Sequence, residues 1–181
     1  MVNYYYLDRT FVRMESGENP DVQNVFWVDL VSPSIEEMRQ VEHDFNVELF
    51  TKQESEEIES SSKYAETEDE IGINMNFLVP EDGNFAIDPV SFILKDKILF
   101  TQRNRDLHTF TETSRRLRSI KPVDGDDIFL SILDIRIDYD ADLIESITDQ
   151  ITYITRAMVR DKSPDRDRKS TRLNSSHQPL S

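Results

Sequence analysis

The sequence predicts an α/β fold, a mixed β-sheet covered by helices on both faces and leading into a long stalk helix. Three observations predict it. Segments 70–79, 85–94 and 97–102 are nearly continuous in apolar residues, as strands buried on both faces require. Helical stretches alternate with strand-like ones along the chain, so cover for those faces is at hand. Beyond residue 124 a heptad rhythm sets in and persists past residue 150.

The chain opens on Tyr4-Tyr5-Tyr6-Leu7 and Phe11-Val12-Arg13-Met14, with a turn signal at Gly17 to Pro20, which reads as short strands. Val25 to Leu30, rich in β-branched and aromatic residues, is a stronger strand. Ser32-Pro33 then supplies an N-cap hydroxyl and a proline for the first helical position, with Glu36 and Glu37 near the positive end of the helix dipole. The expected helix runs from Pro33 to Asp44, with Ile35, Met38 and Val41 facing inward.

Between Glu48 and Glu70 stand nine acidic residues against Lys52 and Lys63. With only Leu49, Phe50 and Ile58 as large apolar residues, this stretch is expected to be one exposed helix followed by a loop at Ser60-Ser61-Ser62. Pro80 to Asn84 joins the first two core strands as a hairpin, and Lys95-Asp96 turns the chain into the third. Arg105 to Ser119 is the next helix. The last element starts after Asp124-Gly125-Asp126-Asp127, where carboxylates suit a helix start. Its Ile137, Ile144, Ile147, Ile151, Ile154 and Met158 are spaced seven, three, four, three and four apart, a coiled-coil seam.

Three regions follow: an α/β domain over 1–123, a packing helix and the start of a stalk over 124–166, and a tail over 167–181. The tail's D-R-K-S-T-R-L-N-S-S-H, Asp167 to His177, reads as the translation of a short-read sequencing adapter, with Gln178 to Ser181 as further adapter or barcode. The gene is therefore expected to continue beyond this chain.

Composition excludes several functions. With 36 acidic and 21 basic side chains, net charge −15, the surface repels nucleic acid and favours cations. The absence of cysteine removes disulfides, thiolate zinc sites and cysteine nucleophiles. Glycines at 17, 72, 83 and 125 are too scattered for a phosphate-cradling loop or a dinucleotide fingerprint. His43, His108 and His177 form no metalloprotease pair. Asp138, Asp140, Asp142 and Asp149 imitate a calcium loop, but the position that requires glycine is Leu143, and the heptad runs straight through. No catalytic constellation remains, so no enzyme is expected. No secretory signal opens the chain, and no run of about 18 apolar residues provides a membrane helix. The acidic stretch has two readings of its own, a solvated face or a weak site for hard divalent cations, which bind through one or two carboxylates and retained water.

Several segments together resemble the cytoplasmic domain of the CorA family of magnesium channels. F-W-V-D-L-V-S-P-S-I-E-E-M, Phe26 to Met38, is similar to that family's strand ending in W-[IV]-D-[LI] and its following acidic helix. Phe45-Asn46-Val47 resembles the F-[GN]-[ILV] turn, and the strand pair F-L-V-P-E-D-G-N-F through F-I-L-K-D-K-I-L-F-T-Q-R resembles its hairpin. L-S-I-L-D-I-R-I-D-Y-D-A-D-L-I-E-S-I-T-D-Q-I, Leu130 to Ile151, resembles the helix leading to the stalk.

The resemblance implies a homopentameric Mg²⁺ channel, passing Co²⁺ in some members, at the cytoplasmic face of the inner membrane. Regulatory Mg²⁺ between subunits would hold it closed. Carried over by position, the sensing carboxylate pair falls on Gln53 and Glu54, where only Glu54 keeps the charge and Glu56 or Glu57 are substitutes. Asp149 is the second acidic position. The partner carboxylate, the G-M-N signature and both membrane helices would lie beyond the chain's end. Alternatives are a zinc-transporting relative, and an acidic module that binds a basic protein partner through residues 48–70.

Overall fold

The computed structural model describes residues 1–6, 11–14, 20–51, 53–54, 64–81, 84–117, 119 and 122–161. The chain divides into two compact units, Met1–Asp138 and Tyr139–Ser181.

The first unit is built on a mixed sheet of seven strands in the order β2-β1-β3-β7-β6-β5-β4. Its strands are β1 (Val2–Tyr6), β2 (Phe11–Met14), β3 (Val25–Val31), β4 (Tyr64–Glu66), β5 (Glu70–Glu81), β6 (Asn84–Lys95) and β7 (Ile98–Arg103). Among the described residues only β3 and β7 pair in parallel, with Asp29 opposite Thr101 and Val31 opposite Arg103. Among the described residues, the longer helices are α1 (Ile35–Phe45), α2 (His108–Arg116) and α3 (Gly125–Asp161).

Strand alternation sends neighbouring side chains to opposite faces, and each face carries its own core. On one, Val28, Leu30, Ile93 and Phe100 meet Val41 of α1, with Val47 and Leu49 completing the layer. On the other, Trp27, Phe92 and Leu99 pack against Phe110 of α2 and against Ile128 and Ile132 of α3. The expected two-sided sheet is thus observed. Trp27 is fully buried, stacks on Tyr5 at 4.2 Å, and donates its indole N–H to Thr101 Oγ1 at 3.0 Å.

The start of α1 departs from the expectation. Its N-cap is Ser34: the hydroxyl accepts from Glu37 N–H at 3.2 Å while Glu37 Oε2 accepts from Ser34 N–H at 2.8 Å. This reciprocal box satisfies two amides at once. Ser32 instead adopts φ 42° and gives its hydroxyl to the Asn104 carbonyl, and Ile35, expected inside, is exposed. The tight turn between β6 and β7 falls one residue later than expected, on Asp96 and Lys97, both with positive φ (49° and 66°), as a two-residue hairpin connection requires.

The first residue of α3 is set against that turn. Gly125 N–H donates to the Lys97 carbonyl at 2.7 Å, and a Cβ there would overlap Leu99 N and lie 2.7 Å from the Ile98 carbonyl carbon. Only glycine allows this approach. Farther along, Arg136 lies over the Phe77 ring at 4.6 Å and donates to the Leu78 carbonyl at 3.1 Å.

In the second unit α3 continues as a single helix. Ile144, Ile151, Ile154 and Met158 are exposed along it, so within this chain the heptad seam faces solvent. Among the described residues, no helix is long and apolar enough to cross a membrane.

Candidate functional site

The acidic segment after α1 is held to the sheet by its backbone. Phe50 N–H donates to Gln102 Oε1 at 3.1 Å, and Gln102 Nε2 returns a bond to the Phe50 carbonyl at 3.1 Å. The Phe50 ring lies over Gly72, where a Cβ would come within 2.7 Å of Cζ. This anchoring delivers Thr51 and Glu54 to the surface beside β5.

Gln53 and Glu54 are helical, and Glu54 is exposed. Its Oε2 accepts two hydrogen bonds, from Thr51 N–H at 2.8 Å and from Thr51 Oγ1–H at 2.7 Å. Glu54 N–H donates back to Thr51 Oγ1 at 3.3 Å, so T-K-Q-E is a second capping box. The Thr51 backbone N–H first, and then its hydroxyl, hold the Glu54 carboxyl below the usual carboxylate range, so it stays ionised at neutral pH. From the sheet, buried Asn74 Nδ2 donates to the Glu54 carbonyl at 3.2 Å. The sequence reading picked out Glu54 but missed Thr51, although the [ST]-x-x-E pattern was present to be read.

Asp149 lies on the second-unit part of α3 and is exposed, on one helical stripe with exposed Asp142 and Glu145. Like charges three and four residues apart repel on a helix surface, and a bound cation relieves that repulsion. Gln53 is exposed beside Glu54, while Glu56 and Glu57 lie outside the described residues. Glu54 and Asp149 belong to different units.

Several carboxylates elsewhere in the first unit are already engaged. A shallow cleft of about 370 Å³ is lined by Glu42, Glu48, Asp69, Glu70 and Lys95. Within it Lys95 pairs with Glu70 at 3.3 Å and also donates to the Asn46 carbonyl, and Glu42 Oε1 accepts from Leu49 N–H at 3.2 Å. Asp29, the acid of F-W-V-D-L, is only 1% exposed and serves the fold: it binds Arg103, Thr101 and Asn3. Among the described residues, no three carboxylate or imidazole side chains converge as a ligand set. Glu54 is nonetheless chemically suited to a hard cation. It is an ionised oxygen donor, and Mg²⁺ needs only one or two carboxylates besides water.

Comparison with known proteins bears on this surface. Residues 22–175 match the family model described as CorA-like Mg²⁺ transporter protein. The magnesium transport protein CorA of Campylobacter jejuni is 36% identical over 167 residues, covering 86% of this chain and 50% of the relative. That of Escherichia coli K12 is 30% identical over 163 residues, covering 88% of this chain and 52% of the relative. The chain thus spans about half the length of these relatives. Among solved structures, the soluble domain of CorA from Methanocaldococcus jannaschii superposes with TM-score 0.65 at 15% identity, covering 88% of this chain and 65% of that one. The full-length CmaX protein gives 0.63 at 12%, covering 94% and 55%. At such identities the structures speak for the fold.

Proposed function

Because this chain belongs to the CorA-like Mg²⁺ transporter family, we propose that it is the cytoplasmic, regulatory part of a divalent metal-ion transmembrane channel. The family match across residues 22–175 carries the reading, and the likeness to a CorA soluble domain supports it. Transport of Mg²⁺, and of Co²⁺ as a second ion, would fall to membrane segments outside this chain.

In this reading Mg²⁺ is the regulatory ligand, and Glu54 and Asp149 are its carboxylates, with Glu56 and Glu57 as further donors. Each supplies one oxygen to a cation that keeps most of its water. Bound Mg²⁺ offsets repulsion on an acidic surface, and its loss restores that repulsion, so cation concentration biases the arrangement of neighbouring copies. Homopentamers at the inner face of the plasma membrane would bring those copies together. The exposed Ile144, Ile151, Ile154 and Met158 supply an apolar seam for such self-association.

The test is the thermal midpoint of the 181-residue chain measured against Mg²⁺ concentration. A ligand that binds only the folded state stabilises it by about 1.4 kcal/mol at ten times its dissociation constant. The midpoint is expected to climb in the millimolar range for the natural sequence and much less for Glu54→Gln combined with Asp149→Asn. A flat response in the natural sequence would sink Mg²⁺ sensing by this chain.

A further inference from the structure

Resting on the reading of Glu54 as a metal ligand, we propose that Thr51 is its positioning residue, fixing the carboxylate so that one oxygen is held by the protein and the other is presented to a divalent cation. Both donors of Thr51, the backbone N–H at 2.8 Å and the hydroxyl at 2.7 Å, converge on the same atom, Oε2. No hydrogen bond among the described residues reaches Oε1. The hydroxyl can serve both roles in the box because it has one proton to give and lone pairs to receive the Glu54 N–H.

The main chain of Glu54 is fixed as well. Asn74, only 6% exposed, donates to its carbonyl from within the sheet. The residue is therefore tied at both ends, by β5 through its backbone and by Thr51 through its side chain. An exposed glutamate would otherwise sample many rotamers and lose that freedom on binding a cation. Here the loss is incurred on folding, which is the general advantage of hydrogen-bonded partners behind a metal ligand. Ligating carboxylates depend on such partners, and their removal typically lowers metal affinity by about 10-fold to 100-fold.

The experiment uses Mn²⁺ as a paramagnetic probe on the isotopically labelled chain, following amide broadening, with Mg²⁺ added as competitor. For the natural sequence, broadening centred on the Glu54 amide and reversed by Mg²⁺ is expected, and Glu54→Gln abolishes it. Thr51→Val removes the hydroxyl and is expected to raise the Mn²⁺ concentration for half-broadening about tenfold, while Thr51→Ser restores it. Thr51→Gly separates positioning from helix capping, because glycine caps helices almost as well as threonine but has no hydroxyl. It is expected to weaken Mn²⁺ binding as Thr51→Val does. If Thr51→Gly or Thr51→Val binds Mn²⁺ like the natural sequence while Glu54→Gln does not, the positioning role falls and the ligand stands. If the natural sequence shows no broadening at Glu54, the ligand assignment falls, and the positioning role with it.

Discussion

Arg103 grips Asp29 through two parallel hydrogen bonds, Nε to Oδ1 at 3.0 Å and Nη2 to Oδ2 at 2.8 Å, linking residues 74 positions apart in the chain. The pair spans the only parallel strand contact among the described residues, and both partners are buried. Arg103 also lies 4.7 Å from the centre of the Phe110 ring, which ties α2 to the same point. A buried charge stripped of its partner is costly, whereas a buried pair replaced as a unit is often close to neutral. Asp29→Ala and Arg103→Met should each lower unfolding free energy by about 3 to 5 kcal/mol, and the double variant should lose clearly less than their sum. Urea denaturation of the three variants checks this, and additive losses would contradict the coupling.

Acid should weaken the fold through its paired carboxylates. Burial raises the Glu37 carboxyl, but the Met1 ammonium at 2.7 Å and the Ser34 N–H outweigh it and hold it below the ordinary 4.5. The Arg115 and Arg116 guanidinium groups hold half-buried Glu112 at about 2. Groups lowered on folding stabilise the native state above their unfolded values, and that stability is lost as pH falls through the folded ones. The thermal midpoint should therefore begin to drop below about pH 4.5, with the Glu112 contribution persisting toward pH 2. Glu37→Gln should flatten the upper part of that acid limb. An unchanged pH profile in this variant would show that Glu37 contributes nothing to it.

Gly125→Ala should destabilise more than its single methyl suggests. The added Cβ meets backbone of β7, which cannot rotate away as a side chain could. Overpacking of this kind costs about 1 to 3 kcal/mol, although alanine is otherwise the better helix former. A midpoint equal to the natural sequence would mean that α3 shifts freely off the hairpin.

Substitutions on the exposed seam should behave in the opposite way. Ile144 and Ile151 are 64% and 59% exposed, so Ile144→Glu with Ile151→Glu should change monomer stability by no more than about 0.5 kcal/mol each. On the proposed reading the same pair removes self-association in sedimentation experiments. Equal association of variant and natural chains would exclude this seam as the contact.

The strands were readable because their signal is local: Val90 to Leu94 and Ile98 to Phe100 announce a two-sided sheet in a handful of residues. Asp29 was readable only as part of a strand motif, since the arginine that explains its burial comes 74 residues later. Ser32 looked like the helix cap because proline follows it, yet Ser34 has the glutamate three residues on that closes the box. The same pattern at Thr51 went unread inside an acidic run, where charge drew attention from spacing. Glu54 was reached through a family resemblance, and its Thr51 partner through geometry.

Gly125 has a consequence for how the chain folds. The β6–β7 hairpin closes through a two-residue turn, a local event on the microsecond scale, whereas α3 begins on a carbonyl that this turn alone presents. The helix has no docking site until the hairpin exists, so seating of α3 belongs to the native side of the folding barrier. Gly125→Ala should accordingly speed unfolding and leave the refolding rate almost unchanged, giving a low φ-value where the hairpin itself gives a high one.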